Sequence, residues 1–130
     1  MNDILLPYKK YLPVGFRFSN NFINYIQSNY KDEIYPWYFL IESAKYIDAR
    51  FYCVQSQYPT RNLIPFAHWN HSDDIVCFDG DDTSGDPKVF FVHTFASPGW
   101  EDRGNVENFD VWLEIAKNNR KNLKLIVNRN

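Results

Sequence analysis

Six aspartates between positions 72 and 87 are the densest set of chemically active side chains in this sequence, and no lysine or arginine accompanies them. They are Asp73, Asp74, Asp79, Asp81, Asp82 and Asp86. Residues 79–83 begin like a calcium-binding EF-hand loop, which requires glycine at its sixth position and glutamate at its twelfth. Ser84 and Phe90 stand there instead. The sequence therefore predicts no metal site, and favours either a solvated loop or a recognition surface for a basic partner.

Three histidines lie near the aspartates, and imidazole with carboxylate is a ligand set that zinc accepts. His68 and His71 are three residues apart with Asp73 close by, and His93 follows in a later apolar run. Two histidines at this spacing are a weak signal without further ligands. Structural or surface histidines are the favoured interpretation, and no cofactor is predicted.

Nucleophilic catalysis requires a nucleophile beside an oriented base. Cys53 and Cys77 each lie in an apolar run, where burial raises a thiol pKa and leaves the group inert. The sequence does not decide whether these two cysteines form a single disulfide. The sequence contains no GxSxG, P-loop or GxGxxG motif. We therefore expect a protein that is not an enzyme.

The elements that must position the aspartates are two apolar runs in the middle of the chain. Residues 75–79 and 88–94 are rich in β-branched and aromatic side chains, and a Gly/Asp/Ser/Pro cluster separates them. This pattern predicts a hairpin with a long loop. Because nearly every residue of both runs is apolar, we expect both faces of this strand pair to be covered.

The remaining pattern predicts helices around this hairpin. Residues 1–18 are predicted as a leader that docks on a domain formed by residues 19–130. The apolar residues suited to this docking are Ile4, Leu5, Leu6, Tyr8, Tyr11 and Leu12. Apolar spacing predicts two helices, at residues 20–30 with Ser19 or Asn20 as the cap and at residues 43–55. Residues 51–54 are β-branched or aromatic, so a strand remains the alternative for the second half of the helix predicted at residues 43–55.

Shorter elements complete the predicted order. Residues 35–41 are predicted as a strand and residues 96–104 as a loop, and a last helix begins after Asn105 or Asn108. Phe109, Trp112 and Ala116 give that helix one apolar face. Basic residues at 117, 120 and 121 are expected at its C-terminal end, and residues 123–127 as a short strand or docked tail.

Three segments of the central region resemble the SUKH superfamily, the Smi/Knr-like domains. They are "LIPFA" at residues 63–67, "IVCFD" at 75–79 and "PKVFFVHT" at 87–94. The resemblance spans residues 20–117 and implies a single α+β domain with a mostly antiparallel sheet and packed helices. Many bacterial members are immunity proteins of polymorphic toxin systems that neutralise toxin domains, often nucleases. Other members are regulatory scaffolds, so the resemblance leaves a protein–protein interaction scaffold of the Smi/Knr type as the alternative.

Composition bears on the partner. The net charge of −2 argues against general nucleic-acid binding, which needs a strongly basic face. Aromatic residues make up 18% of the chain. Trp69 and Trp100 flank the predicted strands, where a tryptophan either anchors a protein contact or caps the edge of the core. The N-terminus lacks a signal-peptide pattern, and no apolar run reaches the length of a membrane span. We expect a cytoplasmic monomer or weak dimer without a membrane partner.

The resemblance to the SUKH superfamily implies an immunity protein that binds a cognate toxin domain without catalysis. The predicted partner-binding residues are the six aspartates named above, with Trp69 and Trp100 as anchors. Nuclease grooves are basic because they hold phosphates, so an acidic loop is suited to occupying one. Carboxylates that surround an ion, or that line a cleft beside a histidine, would favour a chemical function instead.

Overall fold

Five strands form one antiparallel sheet in the order β1-β2-β3-β4-β5. This computed structural model describes residues 3–70, 72–97, 99–100 and 102–128, with side chains described between residues 4 and 121 of those ranges. The strands are β1 (Trp37–Phe39), β2 (Leu63–Trp69), β3 (Asp74–Asp79), β4 (Val89–His93) and β5 (Asp102–Val106). Each strand pairs with the next in sequence. The sheet confirms the predicted α+β class and the predicted hairpin, which is β3 with β4.

In the described part of the chain, four α-helices and two 3-10 helices surround the sheet. They are α1 (Asn20–Ile26), α2 (Lys31–Ile34), α3 (Ala44–Gln57) and α4 (Phe109–Asn128), with 3-10 turns at Asp3–Tyr11 and Leu40–Glu42. Among the described residues, none of these helices combines the length and the apolar character that crossing a bilayer requires. The Ser19 hydroxyl accepts a hydrogen bond from the Phe22 N–H at 3.1 Å, which confirms Ser19 as the cap of α1.

Both faces of β3 are covered, as its apolar sequence predicts. Successive side chains of a strand point to opposite faces. Val76 and Phe78 join a core with α1 and α4, where Phe78 stacks on Phe66 with ring centroids 4.1 Å apart. Ile75 and Cys77 face the other way, in a smaller cluster with Val54 of α3. Strand β3 is thus held in the interior of the domain, whereas Phe90 and Phe91 in the middle of β4 are half-buried.

Some predicted boundaries of the helices and strands were wrong. The helix predicted at residues 20–30 ends at Ile26, where the Ser28 hydroxyl donates to the Tyr25 carbonyl and competes with the helical pattern. The strand predicted at 35–41 has only three residues, because a 3-10 turn begins at Leu40. The helix predicted at 43–55 is α3, including residues 51–54. Ile47, Phe51 and Val54 make its buried stripe, so helical packing outweighs strand propensity there.

The predictions at the C-terminal end need two corrections. Part of the loop predicted at residues 96–104 is β5, a polar strand at the sheet edge that is exposed to solvent at four of its five positions. Residues 123–127 continue α4 and form neither a strand nor a tail. Lys117 and Arg120 therefore lie within the helix, where they contact the rings of Tyr25 and Tyr35. Asn108 caps α4 by accepting from the Val111 N–H at 3.1 Å.

The N-terminal segment shares the core of the sheet. Leu5 and Tyr8 are fully buried, and the Tyr8 hydroxyl donates to the Pro65 carbonyl at 2.7 Å. Phe16 and Phe18 belong to the same cluster. Leu6, expected to dock, is exposed instead. Residues 3–18 therefore pack with the strands, and a division of the chain after residue 18 stays a prediction.

Candidate binding site at one end of the central hairpin

The six predicted aspartates do not form one surface. Asp74 begins β3 and Asp79 ends it, so five residue steps of about 3.3 Å place them about 17 Å apart. Asp79, Asp81, Asp82 and Asp86 lie within residues 79–87, which run from the last residue of β3 into the β3–β4 connection and which we call the acidic loop. Asp73 and Asp74 lie at the opposite end of the hairpin. We call this end, which comprises the β2–β3 turn and the β4–β5 loop, the turn end.

The inner carboxylates of the acidic loop hold its own backbone. Asp79 accepts from the Asp81 N–H at 2.9 Å, and Asp82 accepts from the N–H groups of Ser84 and Lys88, both at 3.0 Å. Hydrogen bonds from Ser84, with a smaller contribution from Lys88, lower the pKa of Asp82. Charge-assisted bonds of this kind are stronger than neutral ones. The loop is therefore ordered by the carboxylates that were predicted to contact a partner.

The outer carboxylates of the acidic loop are exposed and fixed from outside it. Asp81 accepts from the Asn62 side-chain amide at 2.7 Å, and Asp86 accepts from the Asn108 amide at 3.0 Å. Each oxygen of a carboxylate can accept more than one bond, so both groups keep acceptor capacity toward solvent. The acidic loop thus presents a fixed negative surface.

A groove of about 630 Å³ opens on the α4 side of the sheet at the turn end. Its walls include the aromatic rings of Trp37, Trp69 and Phe91. Its polar groups are the side chains of Asp74, His93 and Arg103. The Trp69 ring packs edge-on against Trp37 with centroids 5.1 Å apart, so this predicted anchor is a half-buried wall of the groove. The groove thus brings together two of the predicted residues, Trp69 and Asp74.

Asp74 and His93 are direct cross-strand partners, with His93 Nδ1 2.7 Å from the Asp74 carboxylate. A carboxylate only accepts, so His93 Nδ1 is the donor of this hydrogen bond. The Ser72 hydroxyl donates to the other oxygen of Asp74 at 3.1 Å. In a Ser-His-Asp triad the serine hydroxyl is bonded to the imidazole. Here the Ser72 hydroxyl is bonded to the carboxylate of Asp74 instead, so these three side chains are not arranged as a triad.

The β4–β5 loop carries two exposed aromatic side chains, Phe95 at 64% and Trp100 at 75% exposure. Phe95 has a φ of 67°, in the left-handed region that bulky residues rarely adopt. Trp100 was predicted as an anchor from its loop position, whereas Phe95 was missed. No sequence signal marks Phe95, because it directly follows the apolar run and looks like its continuation.

The other candidate groups lie apart from this end. His68 is on the opposite face of the sheet, stacked on Tyr38 with centroids 5.5 Å apart, and burial followed by the charge of Arg50 lowers its pKa. His71 lies outside the described residues. Within the part of the chain that the structure describes, no group of three or more metal-ligating side chains occurs. Cys77 is buried, which raises its thiol pKa, and it is not paired with Cys53.

Comparisons of this chain with protein families, with curated proteins and with solved structures found no match.

Proposed function

We propose that this chain is a non-catalytic immunity protein that binds a cognate bacterial toxin domain in the cytoplasm and blocks it. The observation that carries a binding function is the exposure of Phe95 and Trp100 on one loop at the turn end. Exposed aromatic side chains of this kind dominate the energetics of protein interfaces. The toxin, and a nuclease as its favoured class, come from the resemblance of residues 63–94 to the SUKH superfamily.

The negative charge of the acidic loop supports a basic partner. Carboxylates held in place lose little conformational freedom on binding, and they raise the rate at which a cationic surface is encountered. A nuclease groove is cationic because it holds phosphates. We therefore assign the acidic loop to steering the toxin domain, and the turn end to holding it.

Co-expression tests this proposal. A toxin-coding gene beside the gene of this chain is expressed alone and together with it, and growth is measured. The proposal expects growth arrest that this chain relieves, and a stable complex of the two purified proteins. Persistent arrest without a complex contradicts it. Several unrelated partners without a toxin would favour the alternative, a regulatory scaffold of the Smi/Knr type.

A chemical function is the second candidate, because one of the six carboxylates, Asp74, does line a groove beside a histidine. An imidazole oriented by a carboxylate can act as a general base. Titrating purified toxin with the chain separates the two functions. A blocking protein reaches full inhibition at one chain per toxin, and the toxin regains activity when the chain is removed. Inhibition at far lower ratios that persists after removal, and that His93→Gln abolishes, would instead favour chemistry.

A further inference from the structure

We propose that Phe95 is the principal anchor of the interface, and that it enters an apolar pocket of the toxin domain with a lysine or arginine at its rim, facing Asp73. This inference rests on the proposed function and specifies the surface that carries it. It moves the main contact from the acidic loop to the β4–β5 loop.

The conformation of Phe95 is the first observation behind this inference. A side chain larger than glycine is disfavoured at a φ of 67°, and such residues persist only where the surrounding structure imposes the conformation. Burial offers no compensation, since 64% of Phe95 is exposed. The fold therefore keeps a large apolar side chain in solvent, in an unfavourable backbone conformation.

Contacts from two other elements impose this conformation. The Phe95 N–H donates to the Gln57 side-chain carbonyl at 2.6 Å, at the end of α3. On one side of Phe95, the Thr94 N–H and hydroxyl donate to the Asp73 carbonyl at 3.1 and 2.7 Å. On both sides, the Tyr58 hydroxyl lies 3.2 Å from the carbonyls of His93 and Ala96. Phe95 is thus held in position before a partner arrives, which lowers the entropic cost of binding.

Charge indicates the occupant. The Asp73 backbone is bonded to Thr94, the residue before Phe95, while the Asp73 side chain is exposed and has no hydrogen bond with any residue that the structure describes. An exposed apolar ring and an exposed carboxylate on segments joined by hydrogen bonds complement an apolar pocket with a basic rim. The phosphate-binding groups of a nuclease are lysine and arginine, which fits the proposed toxin class.

The experiment measures binding of the purified toxin domain encoded beside this chain's gene to Phe95→Ala, Phe95→Gly and Asp73→Lys. Tyr52→Ala is the matched control, because Tyr52 is an aromatic residue of α3 with 72% exposure. We expect each Phe95 variant to raise Kd at least about tenfold, mainly through faster dissociation, and Asp73→Lys to do the same. Tyr52→Ala should stay within about twofold of the native chain. Glycine tolerates positive φ, so Phe95→Gly should keep or raise Tm.

The outcomes separate this inference from the proposed function. No binding by the native chain contradicts the proposed function. Native binding with Phe95→Ala within about twofold in Kd overturns only the inference. A fall of more than about 5 °C in the Tm of Phe95→Gly also overturns it, because Phe95 would then be a structural residue. The last outcome comes from sedimentation of the chain alone. If the native chain is a dimer and Phe95→Ala is a monomer, Phe95 contacts a second copy of the chain, which overturns the inference.

Discussion

The two ends of the β3–β4 hairpin use their polar groups in opposite ways. At the acidic loop, Asp79 and Asp82 accept hydrogen bonds from the backbone of the loop itself. At the turn end, the Asp73 side chain has no hydrogen bond with any described residue, and Phe95 and Trp100 are exposed to solvent. The end with more charge in the sequence therefore uses half of its carboxylates to hold its own backbone. Charge density in a sequence measures neither exposure nor freedom to bind.

This difference assigns separate physical tasks to the two ends. Long-range charge mostly changes the rate of association, whereas buried aromatic anchors mostly change the rate of dissociation. The acidic loop should therefore affect stability and association, and the turn end should affect dissociation. Four substitution experiments test this difference between the two ends.

Gly80→Ala should have the largest effect on stability. A Cβ at Gly80 would lie 2.7 Å from the Asn62 carbonyl oxygen, which also accepts the Gly80 N–H at 2.7 Å. The clash and the strained bond should together cost about 3 kcal/mol in the free energy of unfolding, measured in urea. Gly104→Ala is the control in the edge strand β5, where φ is +105° and an added Cβ would meet no described atom within 4 Å. Backbone strain alone should cost about 1 kcal/mol there; equal losses would contradict the tighter packing of the acidic loop.

Asp82→Ala should lower the free energy of unfolding by about 1.5 kcal/mol, because it removes the acceptor of two backbone N–H groups. Asp73→Ala, which removes an exposed carboxylate, should change it by less than about 0.5 kcal/mol. Chemical denaturation of the two variants measures both values. The comparison of the two ends fails if Asp73→Ala proves the more destabilising.

The acid dependence of stability should depend on Asp82. Its pKa is lower in the folded chain than the unfolded value of about 3.9, so its contribution is complete above that value. The contribution is lost as pH falls through the folded pKa. Between pH 5 and 3, the Tm of Asp82→Asn should therefore fall less steeply than that of the native chain. Parallel Tm curves would show that the lowered pKa of Asp82 contributes nothing.

Neutralising the outer carboxylates should have the smallest effect. Asp81→Asn with Asp86→Asn keeps an acceptor for the Asn62 and Asn108 amides but removes two charges. Association with the toxin domain should slow by about two- to threefold at low salt, and the difference should shrink as salt is added. The dissociation rate should not change. A large rise in the dissociation rate would make the acidic loop a direct contact.

The hairpin could be predicted from sequence because β3 is buried on both faces and β4 is apolar on nearly every residue, which leaves two uninterrupted apolar runs. The edge strand β5 could not, since four of its five residues are exposed and no apolar alternation marks it. The end of α4 was missed for another reason. Residues 123–127 are apolar enough to suit a strand, and only continuous backbone hydrogen bonding extends the helix through them.

The site was predicted in part. Asp73 and Trp100 follow from residue type and loop position, and the structure places both at the turn end. Phe95 could not be found in this way, because its backbone is held by Gln57, which is 38 residues away in sequence. The division of the aspartates between two ends was missed, although the strand predicted at residues 75–79 already separates Asp73 and Asp74 from the other four.

Amide hydrogen exchange of this chain, free and bound to the toxin domain, tests the binding role of the turn end most directly. We predict that binding slows exchange most in residues 94–97 and 72–74, with much weaker protection in residues 80–86. Protection concentrated in residues 80–86, with residues 94–97 unchanged, would contradict this and return the contact surface to the acidic loop.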